Sequence, residues 1–190
     1  MPLTKLALAN GKYYIRSEAP WHGYLQGKFC SISDKTKSTE NALFDVATDI
    51  TDNGSPGFVS FRSSLSDGSY LAVQKIEKDE RNEITVEEKE NYSGRLFLLK
   101  NDNKSSSLEA ARFELFVPIN TDNVAFFWKK AFWNEKKKGV RAIIRSVSTQ
   151  RFLSIKSGGN PFATEKDPAL ATVFTFERFL LNSLFLIAND

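Results

Sequence analysis

The densest group of residues able to hold a ligand lies between residues 126 and 138. Residues 126–133 contain five aromatic side chains and two lysines, and three more lysines follow at 136–138. Aromatic rings stack on flat ligands, and clustered lysines attract acidic surfaces. The predicted ligand-binding residues here are Trp128, Lys129 and Trp133, and the predicted protein-binding residues are Lys130, Lys136, Lys137 and Lys138.

The surroundings of this segment are strongly basic, because residues 128–156 contain nine Lys or Arg and one Glu, a local charge of +8. If this segment is a β-strand, its side chains alternate between two faces, so some of the aromatic rings would point into the core. The remaining rings have three alternative uses: stacking on a sugar, contact with an anionic membrane, or contact with an acidic protein such as actin.

A second candidate site is the turn 19–23, whose sequence is Ala-Pro-Trp-His-Gly. It places Trp21 and His22 at a hairpin tip, with Tyr24 directly after it. We predict Trp21, His22 and Tyr24 as ligand-binding residues that combine ring stacking with polar anchors. The alternative is that Trp21 covers the floor of the fold while His22 faces water.

Residue counts argue against most catalytic chemistry. Cys30 is the only cysteine and His22 the only histidine, so neither an internal disulfide nor a zinc site is expected. No G-x-S-x-G motif accompanies the histidine. The acidic stretch 75–90 lacks the alternating Asp/Asn pattern and glycine turn of a calcium loop. We expect a protein without enzymatic activity, cofactor or metal.

Length and charge indicate one globular domain over residues 1–190, with a net charge of +3. This balance and the lack of a known motif do not favour nucleic acid as a partner. The N-terminus has no apolar run typical of a signal peptide, and no stretch is long enough for a transmembrane helix. A cytoplasmic location is therefore expected.

The strands that would position these residues are predicted from a sequence motif, called the repeated phrase below, that occurs three times. Each copy has an Arg-Ser pair that ends one alternating segment, then a short polar turn, then a second segment ending in Leu. The copies cover residues 14–25, 60–71 and 143–153. Alternating segments joined by a polar turn are typical of β-hairpins. The sequence therefore predicts three equivalent hairpins.

Each unit also ends in an alternating segment, at 43–46, 112–116 and 173–177. The spacing from the arginine to the closing phenylalanine is 28, 51 and 29 positions, so the second unit carries an insertion. We place the repeats at about 11–57, 58–118 and 140–179, with insertions at about 75–107 and 119–139. Within the first insertion, 84–86 and 95–99 are candidate strands of a lengthened hairpin. Units of short strands without helices suit a closed antiparallel barrel.

The triple motif resembles the β-trefoil superfold, in which three units form a six-stranded barrel capped by three hairpins. The phrases at 59–63 and 145–153 are similar to those of fascin-like domains and of the arabinose-binding domains of arabinofuranosidases. In the arabinose binders a His and an Asp line each sugar pocket. Here the second unit has Ala72 to Gln74 and Ala110 to Ala111 at those places, and the third has Ser154 and Thr172.

This resemblance implies a binding module of the lectin-like kind, whose partner is a glycan held on the hairpin loops. The alternative is a fascin-like protein-interaction domain that docks acidic protein surfaces, actin among them, through the patch 126–138. A further alternative is a trefoil protease inhibitor acting through one protruding loop.

Overall fold

A computed structural model describes residues 3–18, 21–27, 30–33, 40–65, 68–74, 94–100, 109–119, 139–155 and 159–179. These residues form thirteen β-strands. The strands are β1 (Lys5–Leu6), β2 (Gly11–Ser17), β3 (Gly23–Gln26), β4 (Ser31–Ser33), β5 (Leu43–Ile50), β6 (Pro56–Ser63), β7 (Tyr70–Val73), β8 (Leu96–Leu99), β9 (Phe113–Phe116), β10 (Gly139–Ser146), β11 (Phe152–Ile155), β12 (Pro161–Glu165) and β13 (Val173–Arg178). Short 3-10 turns at Glu40–Ala42 and Glu109–Ala111 precede β5 and β9.

Six of the strands close into an antiparallel barrel in the order β2, β5, β6, β9, β10 and β13, with β13 returning to β2. The narrowest junction joins β6 to β9 through one register pair, Val59 and Phe113. The N-terminal strand β1 pairs with β9 at Leu115 and Phe116, beyond that junction. A closed barrel leaves few unpaired backbone groups, so it removes the edges at which sheets aggregate.

The other strands form three hairpins, β3 with β4, β7 with β8 and β11 with β12. The third hairpin binds the other two, because Ile32 N–H donates to Gly159 O at 2.8 Å and Ala163 N–H donates to Gly94 O at 2.7 Å. Gly94 has a φ of +86°, and a Cβ there would lie 2.7 Å from the Ala163 carbonyl oxygen. Glycine is therefore required where these two hairpins meet.

The barrel interior follows from the two-residue periodicity of the strands. In β2, Tyr13, Ile15 and Ser17 point inward and are buried. Three fully buried rings meet at the centre: Phe61 lies 5.2 Å from Phe113 and 5.9 Å from Phe176, measured between centroids. One large apolar cluster fills the barrel, and a smaller one of Phe116, Ile143 and Phe152 lies on its outer wall.

The all-β prediction is confirmed. The hairpins predicted over residues 14–25, 60–71 and 143–153 are also confirmed, as the strand pairs β2–β3, β6–β7 and β10–β11. The closing segments predicted from the repeat are β5, β9 and β13. The segment 95–99 contains β8, which pairs with β7. Its predicted neighbour 84–86 lies outside the described residues, as do most of the two predicted insertions.

Candidate functional site

The three arginines of the repeated phrase occupy equivalent places on the outer wall. Arg16 lies opposite Tyr24, Arg62 opposite Tyr70 and Arg145 opposite Phe152. On its other side each arginine faces a residue of the neighbouring barrel strand. We call each set a row: the first row is Thr175, Arg16 and Tyr24, the second is Asp45, Arg62 and Tyr70, and the third is Glu114, Arg145 and Phe152.

In the first row the arginine is largely buried and is paired with a carboxylate. Arg16 Nε donates to Glu177 Oε1 at 3.1 Å, and only 11% of the Arg16 side chain and 6% of the Glu177 side chain are exposed. The Tyr24 hydroxyl donates to Glu177 Oε2 at 3.2 Å. Burial, followed by the charge of Glu177 and this hydrogen bond, raises the pKa of Tyr24 to about 12. Tyr24 is thus a neutral, half-buried phenol with a fixed hydroxyl.

The predicted residues Trp21 and His22 lie in the link between β2 and β3. The buried Ser17 hydroxyl donates to the Trp21 carbonyl oxygen, and Gly23 N–H donates to the same hydroxyl at 3.3 Å. The link is therefore anchored beneath the tryptophan. Trp21 is 43% exposed and His22 is exposed.

Beside this link lies a carboxylate that the sequence analysis did not nominate. Arg141 donates to Glu18 through Nε at 2.8 Å and Nη2 at 2.5 Å, and the Thr175 hydroxyl donates to Glu18 at 2.6 Å. Burial alone would raise the pKa of Glu18, but the bonds from Arg141 and Thr175 and the charge of Arg141 hold it below its ordinary value. Glu18 is therefore an anionic anchor at the base of the link.

In the third row Glu114 accepts from Lys5 at 2.6 Å and from Arg145 at 2.5 and 2.8 Å. The Arg145 guanidinium also lies 4.9 Å from the ring centroid of Phe116 and 5.9 Å from that of Phe152. Burial works to raise the pKa of Glu114, yet the bonds from Lys5 and Arg145 lower it overall. The row is internally satisfied by ion pairs and cation–π contacts.

These ion pairs neutralise part of the local charge of +8 that was counted from the sequence. Two of the nine basic residues between 128 and 156, Arg141 and Arg145, are neutralised by Glu18 and Glu114 from distant parts of the chain. The basic field of this region is therefore weaker than the sequence count indicates.

The other predicted residues are Trp128, Lys129, Lys130, Trp133, Lys136, Lys137 and Lys138, and they lie outside the described residues. Of the predicted site residues the structure describes Trp21, His22 and Tyr24, which lie within one short stretch of the first unit. The supporting residues Arg16, Glu18 and Glu177 were missed. The only signal for Arg16 was its place in the repeated phrase.

Within the described part of the chain, no three His, Cys, Asp or Glu residues are grouped closely enough to hold a metal ion. The same residues contain no helix with the length and apolar character that crossing a bilayer requires.

Comparison with solved structures identifies the architecture. A designed protein with threefold symmetry, ThreeFoil, matches 89% of this chain and 99% of its own chain, with a TM-score of 0.50 and 9% sequence identity. No family model matches the chain, and no curated protein does. The chain has the β-trefoil fold, with a closed six-stranded barrel. This likeness concerns the fold, since folds of this kind host unrelated functions.

Proposed function

We propose that this β-trefoil is a non-catalytic carbohydrate-binding module whose site lies on the β2–β3 link of the first unit. The observation that carries the proposal is the Trp21 side chain, 43% exposed on a link held from below by Ser17. A large exposed ring whose own backbone carbonyl is held by a hydrogen bond can stack on a sugar at a lower entropic cost than a ring on an unrestrained backbone.

The neighbouring residues supply polar groups around that ring. His22 is exposed beside it, and the Tyr24 ring follows on β3. Because Glu177 fixes the Tyr24 hydroxyl, its ring orientation is set before a ligand arrives. In this arrangement Trp21 provides the stacking surface, Tyr24 a rigid wall, and His22 a hydrogen-bonding group.

The test is a glycan array probed with the full chain and with Trp21→Ala. Leu65→Ala is a matched control, because Leu65 is also 43% exposed and follows the equivalent serine of the second unit. If Trp21 carries the binding, its truncation should cost about 2 kcal/mol, or roughly 30-fold in affinity. Trp21→Phe should retain part of it. Equal losses in Trp21→Ala and Leu65→Ala, or no binding to any glycan, would reject the proposal.

A second candidate function rests on the patch 126–138, which combines five aromatic residues with five lysines. In that case the chain is a fascin-like interaction domain that docks an acidic protein surface through Lys130 and Lys136–Lys138. A contact dominated by lysines should weaken strongly between about 50 and 500 mM salt, whereas ring stacking should not. Actin co-sedimentation with a charge-reversed Lys136–Lys138 variant tests this candidate. Trp128→Ala on the glycan array tests whether Trp128, Lys129 and Trp133 bind sugar instead.

The third candidate, a protease inhibitor, is tested by assaying a protease panel with the same preparation. Inhibition that persists in Trp21→Ala would favour this function over sugar binding.

A further inference from the structure

The second row differs from the other two in being open to solvent. Lys12, Asp45, Arg62 and Tyr70 lie opposite one another on the adjacent strands β2, β5, β6 and β7. Half of the Arg62 side chain and 31% of the Asp45 side chain are exposed. Lys12 is exposed and Tyr70 is half-buried. Directly opposite residues in antiparallel strands have their Cβ atoms about 4.5–5.5 Å apart, so these side chains form one continuous strip.

The equivalent places in the other units are filled by the protein itself. Glu177 engages both Arg16 and Tyr24 in the first row. Lys5 and two phenylalanine rings surround Glu114 and Arg145 in the third. The second row has no such cover within the described residues. The same Arg–aromatic pair is thus repeated three times, and the fold leaves one copy accessible.

Among the described residues, few hydrogen-bond partners engage the side chains of the open row. Arg62 Nη2 donates to Asp45 Oδ2 at 3.4 Å, a long bond, and the guanidinium makes no other hydrogen bond within the described part of the chain. A guanidinium has five donors, and a carboxylate accepts at several positions. In the described residues the Tyr70 hydroxyl has no hydrogen-bond partner either. The row therefore presents donors, an acceptor and a ring face side by side.

We infer that the row of Asp45, Arg62 and Tyr70 is a second saccharide site, an inference that rests on the proposed carbohydrate-binding function. Two adjacent hydroxyls of a sugar match it, since one can donate to Asp45 while the other accepts from Arg62. The Tyr70 ring then lies against the sugar. Because the Asp45 carboxylate lies directly beside Arg62 and can only accept, a ligand that brings hydroxyl donors fits the row better than one that offers only acceptors.

The experiment is a titration of the full chain by two-dimensional ¹H–¹⁵N NMR. The probes are methyl glycosides of galactose, mannose and glucose, which differ in the orientation of adjacent hydroxyls. Per-O-methylated methyl glucoside, which has no donor for Asp45, is the control ligand. The variants are Arg62→Gln and Asp45→Asn. Both should fold, because exposed ion pairs contribute little to stability. Arg151→Gln is the matched control, since the Arg151 side chain makes no hydrogen bond within the described residues.

We expect at least one methyl glycoside to shift amide signals of β5, β6 and β7 separately from those of the Trp21 link. Arg62→Gln and Asp45→Asn should each weaken binding at the row at least tenfold and leave the link unchanged, and Arg151→Gln should change neither. The per-O-methylated probe should leave the row signals unmoved.

The outcomes separate the two proposals. The second site is wrong, and the proposed function stands, if a methyl glycoside moves the signals of the link and not those of the row. The same holds if the row signals of Arg62→Gln shift as much as those of the unmodified chain. If the row responds and the link does not, the second site holds and the Trp21 site is wrong. If no probe and no arrayed glycan binds, both are wrong.

Discussion

The buried pair of Arg16 and Glu177 gives the sharpest stability prediction. Glu177→Gln removes the carboxylate that Arg16 contacts at 3.1 Å and leaves a positive charge on a side chain that is 11% exposed. Removing one partner of a buried ion pair typically costs about 3–5 kcal/mol. Arg16 also helps to lower the pKa of Glu18, so one carboxylate remains within electrostatic reach. We therefore expect the low end of that range, about 3 kcal/mol.

A loss of this size should lower the midpoint of thermal unfolding by about 6–12 °C in a chain of this length. Circular dichroism during thermal and urea unfolding measures both quantities. Asp45→Asn is the matched control, because it makes the same chemical change in the exposed pair with Arg62. It should cost less than about 1 kcal/mol.

Removing both charges of the buried pair should restore stability. The double variant Arg16→Met with Glu177→Leu should unfold within about 1 kcal/mol of the unmodified chain, since no uncompensated charge remains. If Glu177→Gln and Asp45→Asn cost the same, burial does not decide the strength of these pairs and the argument fails.

Three further predictions concern acid stability, the core and the single thiol. The folded-state pKa values of Glu18 and Glu114 lie below their ordinary 4.5, so their contribution to the free energy of unfolding is present above pH 4.5 and is lost as the pH falls through the folded-state pKa values. Urea unfolding between pH 7 and 3 should therefore show a decline in the free energy of unfolding, and the decline should be shallower in Glu114→Gln. Phe61→Ala should cost about 3–5 kcal/mol in urea unfolding, whereas Leu170→Ala, at an exposed position, should change stability by less than about 0.5 kcal/mol. Burial raises the pKa of the Cys30 thiol to about 11, so a thiol reagent at pH 7 should modify it far more slowly in the native chain than in urea; equal rates would contradict its burial.

Much of the fold was predictable from local patterns. The alternation in segments such as 143–146 indicated strands, and the threefold repeat indicated a closed barrel with three hairpins. The alternation is a local signal, because successive side chains of a strand point to opposite faces and a one-residue slip would expose the whole core face. The pairing of β8 with β7 across residues 75–93 was not evident, since strand pairing over a long connection has no local signature.

The candidate site was predictable only in part. Trp21 stood out because a large aromatic ring at a hairpin tip is costly to expose without a ligand. Glu18 and Glu177 gave no such signal. Their partners are 123 and 161 residues away in the sequence, and carboxylates of this kind are common on solvated surfaces.

The sequence alone determined the all-β class and the three equivalent hairpins, because strand periodicity and turn composition act over a few residues. It also placed an arginine at the same position in each unit. Only the tertiary structure decided what each arginine does: Arg16 is buried and paired with Glu177, Arg145 lies against two aromatic rings, and Arg62 remains exposed. The reason is physical, since an ion pair forms where barrel closure brings a carboxylate within a few ångströms, and that distance depends on the register of distant strands.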